Sequence, residues 1–240
     1  RSRMTARLVG KRILLTGVSR GVGLATARSL LLEGATVFGV ARDVERLERA
    51  RVELSASAPE RFHALAIDLG DAGSDRRIFE WVSALTPALD VVIQNAGIMA
   101  AHAEEISSEP VGALERSLDV NLLAPFRLTR ALLPLLLAGH EPRLLNVSSG
   151  AGTHAGLTEP GIASYRLSKW ALNGLTLLQA KEFQGKISVN ALDPGWVQTD
   201  LGGDRAPGVP EESAQSVVET LLLSWSLTGK FYKNAEEIPW

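Results

Sequence analysis

Short apolar runs alternate along the chain with longer stretches whose apolar positions recur at helical spacing. Apolar runs without strict alternation read as strands buried on both faces. They fall at Arg12–Thr16, Ala35–Val40, Phe62–Ile67, Asp90–Gln94, Arg143–Ser148 and Lys186–Ala191, with a short last strand at Lys230–Tyr232. Between them the spacing predicts helices over Val22–Glu33, ended by Gly34, and over Asp43–Ser57, Ser74–Leu85, Val111–Leu137, Ile162–Phe183 and Pro210–Trp225. Pro125 and Pro134 predict kinks in the fourth of these helices. Strand and helix in turn predict an α/β fold. Right-handed crossovers make it a doubly wound, Rossmann-like parallel sheet of about seven strands, with helices on both faces. Ligands of such sheets bind beyond the carboxyl ends of the strands, where the winding reverses.

Composition narrows the chemistry. The 240 residues, 45% of them hydrophobic and 22% charged, suit a single domain over 1–240, with 1–7 read as a flexible N-terminal segment and Met4 as a start. A formal charge of −2 argues against a nucleic-acid partner. The absence of Cys excludes disulfides, thiolate metal sites and Cys nucleophiles. The four histidines show no ligand spacing, so no metal is expected. The longest apolar run, Ala131–Gly139, is too short to span a bilayer, and the first residues lack the apolar core of a signal peptide. A cytoplasmic protein without a membrane partner is the expectation.

The first strand runs into Gly17-Val18-Ser19-Arg20-Gly21-Val22-Gly23. Glycines let backbone approach a phosphate closely, and the helix behind them aims free N–H groups and a partial positive charge at it. The same residues spell G-x-S-x-G, the elbow of serine hydrolases, with Ser19 as nucleophile. That elbow normally follows several strands, and this one follows the first.

Tyr165 and Lys169 stand at i and i+4, on one face of a helix. A nearby cation stabilises phenolate and lowers the Tyr pKa, which suits general acid–base work. Upstream, the fifth strand ends in Asn146-Val147-Ser148-Ser149-Gly150 and the fourth in Gln94-Asn95-Ala96-Gly97, with Asn121 between them. Downstream, the sixth strand leads to Asn190-Ala191-Leu192-Asp193-Pro194-Gly195-Trp196-Val197-Gln198-Thr199.

In the order and spacing of these motifs, over about residues 8 to 232, the chain resembles the short-chain dehydrogenase/reductase family in its shorter, single-domain, carbonyl-reductase-like form. The resemblance implies hydride transfer between a nicotinamide coenzyme and a small carbonyl or alcohol substrate. It makes Tyr165 the proton donor and acceptor, and has Lys169 lower its pKa and bind the nicotinamide ribose. Ser149 would hold the reacting oxygen, and Asn121 a water that relays protons to Lys169. It assigns coenzyme contacts to Gly17, Ser19, Arg20, Gly21, Val22 and Gly23. Asn95, Ala96 and Gly97 would line the adenosine ribose, Asp68 and Leu69 the adenine edge. Pro194, Gly195, Val197 and Thr199 would position the nicotinamide. NAD-preferring members carry a carboxylate at the end of the second strand. Here that position is Ala41, followed by Arg42, with Ser19 and Arg20 opposite. NADP(H) is therefore the expected coenzyme, although a shift of one residue would bring Asp43 to the ribose. A homodimer or homotetramer through helices 111–137 and 162–183 is the assembly the resemblance implies. A catalytically silent NADP-binding regulator is the alternative reading, with the hydrolase third.

The chain departs from the family at Gln94, where an Asn is usual, and in a longer gap between Ser149 and Tyr165, so Gly150–Gly161 carries an insertion and Ser148 competes with Ser149. Ile98–His102, Thr153–Ile162 and Trp196–Pro210 are the expected pocket segments, the last a lid. His102 and His154 read as solvated, and Trp81, Trp170 and Trp225 as packing residues on helices. Trp196 reads as pocket wall or loop packing, and Glu45-Arg46 with Glu48-Arg49 as a solvated helix face.

Overall fold

The computed structural model describes residues 6–240. The first five residues of the expected N-terminal segment, Met4 among them, lie outside the described residues. Arg7, the last of that segment, pairs with Glu33 at 2.5 Å and Glu219 at 2.9 Å.

Eight strands form one sheet in the order β3-β2-β1-β4-β5-β6-β7-β8. They are β1 (Arg12–Thr16), β2 (Thr36–Ala41), β3 (Phe62–Ala66), β4 (Val91–Gln94), β5 (Arg143–Val147), β6 (Ser188–Leu192), β7 (Phe231–Lys233) and β8 (Glu236–Ile238). All neighbours up to β7 pair in parallel, and β8 returns antiparallel on β7. The eighth strand exceeds the expected seven. The turn before it is Asn234-Ala235, both at positive φ (51° and 59°), the backbone of a tight hairpin. The Asn was a readable signal for it, and the Ala was not.

The helices are α1 (Gly21–Leu32), α2 (Val44–Ser57), α3 (Ser74–Leu85), α4 (Ala113–Leu118), α5 (Ala124–Leu137), α6 (Ala163–Glu182) and α7 (Pro210–Leu221). Each central strand buries alternate residues on opposite faces, as the pleat requires. Ile13, Leu15, Val91 and Ile93 meet Leu30 of α1, Leu54 of α2 and Val217 of α7. Leu14 and Val92 meet Ile78 of α3 and Leu132 and Leu136 of α5. Each fully buried aliphatic side chain contributes about 1.5–3 kcal/mol.

The expected helix over 111–137 is interrupted by a π turn at Asp119–Leu123. Pro125, at the start of α5, lies just beyond it, and Pro134 sits inside α5 without breaking it. As a whole, Ala113–Leu137 is long and apolar enough to cross a membrane by length and composition. Here Leu128, Leu132 and Leu136 are buried against the sheet. The last helix ends at Leu221 rather than Trp225, and Trp225 instead donates from Nε1 to the Pro142 carbonyl at 2.9 Å.

The amino ends of the strands are tied by Asp90, which is 2% exposed. Its carboxylate accepts from Arg12 Nε and Arg12 N, both at 2.9 Å, and from His140 N at 2.8 Å. Burial alone raises this carboxyl, but the Arg12 guanidinium and the two backbone N–H groups outweigh it and hold it below 3.8. A carboxyl depressed by folding contributes stability above its unfolded pKa, and the contribution is lost as pH falls through the folded value. Replacing Asp90 with Asn is expected to destabilise the protein by about 1.5–3 kcal/mol at neutral pH, the scale of a hydrogen bond to a charged group. Urea denaturation of both proteins should show this gap at pH 7 and a narrower one near pH 3. A gap that is absent at pH 7, or unchanged in acid, contradicts the assignment.

Candidate functional site

The winding reverses between β1 and β4, and the carboxyl ends of the strands open there into a cleft of about 1270 Å³. That exceeds the usual range for drug-sized ligands, so a dinucleotide and a second small molecule can share it. The Thr16 hydroxyl accepts from the N–H groups of Asn95 and Ala96, both at 2.9 Å. The Asn95 side chain returns to the carbonyls of Thr16 (3.0 Å) and Gly17 (3.4 Å).

These bonds place the glycine turn. Gly17 and Gly21 lie at φ 77° and 53°. A Cβ on Gly23 would stand 1.9 Å from the Gly17 carbonyl oxygen, so only glycine fits. Arg20, before α1, gives no side-chain cap, whereas Asp43 caps α2 by accepting from Arg46 N at 2.9 Å. The first N–H groups of α1 thus face the cleft without a side-chain acceptor, a cradle suited to the phosphates of a dinucleotide. Ser19 lines the same turn, and among the described residues no His or carboxylate hydrogen-bonds it, which leaves the hydrolase reading without a base.

The cleft is lined by Arg42, Asp68, Leu69, Asn95, Ala96 and Gly97, the last beside Lys169 Nζ. Ser149, Tyr165, Lys169, Pro194, Gly195 and Val197 line it as well, Thr199 lies against Gly21, and Val22 belongs to the glycine turn. Asp43 is engaged in its cap, whereas Arg42 is 70% exposed at the side chain and only 3.6 Å from Asp68. Arg46, expected on a solvated helix face, also lines the cleft and pairs with Asp200 at 2.8 Å. Local sequence could not show this, because Asp200 arrives from the far side of the chain.

Tyr165 is 8% exposed and Lys169 4%. Lys169 Nζ donates to the Val147 carbonyl at 2.9 Å and lies 5.8 Å from the Tyr165 ring centre. Burial pushes the phenol up to about 12, against the opposing Ser149 hydrogen bond and with help from the Asp193 charge. Burial pushes the Lys169 ammonium down to about 8. The expected depression of Tyr165 by Lys169 is therefore not found in the protein alone: desolvation dominates both groups. Ser149 caps the short turn Gly150–Gly152 and its hydroxyl meets the phenol. Ser148 turns away, its hydroxyl on the Lys169 carbonyl at 3.4 Å.

Asn121 stands apart from the cleft and is fully buried. Its Oδ1 accepts from Ile98 N at 2.8 Å, and its Nδ2 donates to the Ile98 carbonyl and to Ser168 Oγ. The side-chain amide is thus engaged with Ile98 and Ser168. Its backbone carbonyl is different. The residue four places on is Pro125, which has no N–H, so that oxygen is free of its α-helical partner. A π turn at such a place is common at functional sites.

The insertion folds into two short turns, Gly150–Gly152 and Gly156–Thr158. Arg166 pins it by donating to the carbonyls of Gly156 (2.7 Å), Gly161 (2.9 Å) and Pro160 (3.0 Å). Ile162, before α6, is a β-branched residue at φ 48°, a conformation that costs on the order of 1–3 kcal/mol. Opposite, Trp196 both lines the cleft and donates to the Gly202 carbonyl at 2.8 Å. His102 is exposed at the rim of the cleft, and His154 is exposed beside Trp170. Trp170, expected to pack, is 40% exposed on the outer face of α6. Among the described residues no cluster of His, Asp and Glu could hold a metal ion.

A family model for short chain dehydrogenases matches residues 11–209. The chain is similar to an NADPH-dependent pterin aldehyde reductase of Arabidopsis thaliana, at 31% identity over 196 residues, covering 81% of this chain and 78% of that protein. Its fold is similar to that of the carbonyl reductase Sniffer of D. melanogaster, with TM-score 0.88 and 28% identity over 97% of this chain and all of the other. It is also similar to a short chain dehydrogenase of Shigella flexneri complexed with NADP, with TM-score 0.87 and 26% identity over 97% and 100% of the two chains. Cleft, glycine turn and the Tyr165–Lys169 helix thus sit within a match that spans most of the chain, which belongs to the short-chain dehydrogenase family.

Proposed function

We propose that the protein reduces a ketone or aldehyde with NADPH and runs the reverse alcohol oxidation with NADP⁺. One observation carries this reading: Ser149, Tyr165 and Lys169 converge in the cleft whose other end holds Arg20, Arg42 and Arg46. The names of the Arabidopsis and Drosophila relatives and the NADP of the Shigella structure support it. A silent regulator would not need the buried Tyr–Lys pair, whose desolvation opposes folding.

The coenzyme, when bound, supplies or accepts the hydride. Gly17, Gly21 and Gly23 with the open end of α1 would hold its phosphates, Asn95 to Gly97 would line its ribose, and the arginines would take the 2′-phosphate. Ser149 donates to the substrate oxygen and stabilises its growing charge. Tyr165 is protonated at neutral pH, with a pKa of about 12, and gives that proton to the oxygen as the carbonyl becomes an alcohol. Lys169, with a pKa of about 8, is the stronger acid and returns a proton to the phenolate. The backbone carbonyl of Asn121, which lacks an i+4 N–H donor, can hold a water that resupplies Lys169. In oxidation each transfer reverses. Exposed Leu114, Leu123, Phe126, Trp170 and Leu178 on α4 to α6 offer an apolar face for a homodimer.

Tyr165→Phe removes the proton donor and keeps the ring. The loss in kcat should be at least about 10²-fold, with coenzyme affinity little changed. Near-normal turnover would end the assignment of Tyr165.

Ser149→Ala should cost about 10²–10³-fold in rate, the usual effect of losing one donor to a developing oxyanion. Ser148→Ala should be mild, and the reverse order in steady-state assays would exchange the two roles.

Arg42→Ala should lower kcat/KM for NADPH by roughly tenfold or more, because a charge-assisted bond is worth about 1.5–3 kcal/mol. The same parameter for NADH should hold. A parent enzyme that prefers NADH would show that Arg42 does not read the ribose.

A further inference from the structure

At the adenosine end of the cleft three arginines, Arg20, Arg42 and Arg46, face three carboxylates, Asp43, Asp68 and Asp200. Two of the carboxylates serve their own local backbone. Asp43 caps α2 through Arg46 N, and Asp68 accepts from Gly70 N at 2.9 Å. Asp200 is unlike them. Among the described residues its only hydrogen-bond partners are arginine side chains, and one oxygen, Oδ2, takes both. Arg46 Nη1 approaches it at 2.8 Å from α2, and Arg20 Nη1 from the glycine turn. Asp200 itself belongs to the loop after β6, 180 and 154 residues away from its partners in sequence.

The contact therefore ties three separate segments around a single anionic atom. Arg20 and Arg46 point their guanidinium groups at one oxygen in the cleft that Arg42 also lines, the arrangement that suits a phosphate. A carboxylate of charge −1 fills that point in the protein alone. Asp200 does not need the contact to keep its loop folded. Trp196 to Gly202, Gln198 Nε2 to the Ala206 carbonyl at 3.0 Å and the Val197–Gly208 bridge already close it.

We infer that Asp200 is a coenzyme-specificity residue: an internal anion that occupies the Arg20–Arg46 site and must be displaced by the ribose 2′-phosphate of NADPH. NADH has no such phosphate and leaves the Asp200 contact intact. The phosphate carries more charge and more acceptor oxygens than a carboxylate, so it wins the exchange, but the exchange lowers NADPH affinity. The inference rests on the coenzyme reading above and assigns to Asp200 and Arg46 roles that the glycine-turn motif alone does not give.

The test is isothermal titration of NADPH and NADH into the parent protein, Asp200→Asn, Arg46→Met and the double variant. Asp200 is more than half exposed, so its replacement leaves the core untouched. Asp200→Asn should tighten NADPH about fivefold, the scale of two exposed ion pairs, and leave NADH within about twofold. Arg46→Met should weaken NADPH by a similar factor and spare NADH. In the double variant the gain from Asp200→Asn should shrink, because one of the two cations it frees is gone. NADPH affinity that is unchanged or weaker in Asp200→Asn, while the parent still binds NADPH better than NADH, overturns the inference and leaves the coenzyme reading standing. A parent that binds both coenzymes equally, with no effect of Arg42→Ala, overturns both.

Discussion

Thr16 and Asn95 hold the ends of β1 and β4 together at the point where the sheet reverses its winding, and the rest of the site is built outward from that junction. The Thr16 hydroxyl fixes two successive N–H groups of the β4 exit, and Asn95 fixes two successive carbonyls of the β1 exit. Because Gly17 is pinned, Gly23 must pass its carbonyl with no room for a Cβ, and α1 can begin only in one direction. That direction leaves the first N–H groups of α1 open to the cleft. The same segment carries Gly97, where a Cβ would lie 3.3 Å from Asn121 Oδ1 and 3.4 Å from Lys169 Nζ. The junction thus sets the distance between phosphate cradle and proton-transfer pair without either touching the other.

The pair itself depends on a second constraint, burial. A Tyr and a Lys one turn apart on an exposed helix would titrate as ordinary side chains. Here α6 presses them against the end of β5, where the Val147 carbonyl fixes the ammonium. Desolvation penalises both charged forms, so phenol and ammonium move in opposite directions. The result is an acid that keeps its proton until a stronger demand arises, next to a group able to replace it. Asn121 contributes by position. Its side chain braces Ile98 against α6, and Pro125 leaves its carbonyl without the i+4 N–H of an α-helix.

Strands β1 to β7 and most helices were legible in the sequence, because apolar runs and helical spacing are local signals that the packed sheet preserves. The chemistry was legible for the same reason, since Tyr165, Lys169 and the glycine turn are defined by short spacings. What escaped notice depends on contacts between distant segments. Arg46 sits amid Glu45, Glu48 and Arg49 and reads as one more solvated charge, and nothing near it announces Asp200. The π turn left only Pro125 as a trace, and a proline predicts a kink as readily as a change of helical register. The β8 hairpin is polar and three residues long, too short for periodicity to register. The i, i+4 spacing reports the cation near Tyr165 but not the loss of solvent that pushes the phenol up.

The two ends of the sheet answer different demands, and the distribution of charge follows from this. At the amino ends Asp90 is buried, paired and bonded to backbone, so its energy goes into holding β1, β4 and the approach to β5 in place. At the carboxyl ends the charged groups are exposed and exchangeable. Arg42 is barely engaged, and Arg20 and Arg46 share a partner that a stronger anion can replace. Exposed ion pairs of this kind contribute little to stability, which frees them to serve recognition. The loops divide in the same way. Arg166 nails the Gly150–Gly161 insertion to α6 through three carbonyls beside Tyr165, so the wall nearest the proton transfer is fixed. The segment from Trp196 to Gly208 meets the glycine turn through Thr199 at Gly21 and through the exposed Asp200 pair. Fixed geometry is thereby kept where the proton moves, and adjustable contacts are kept where ligands enter.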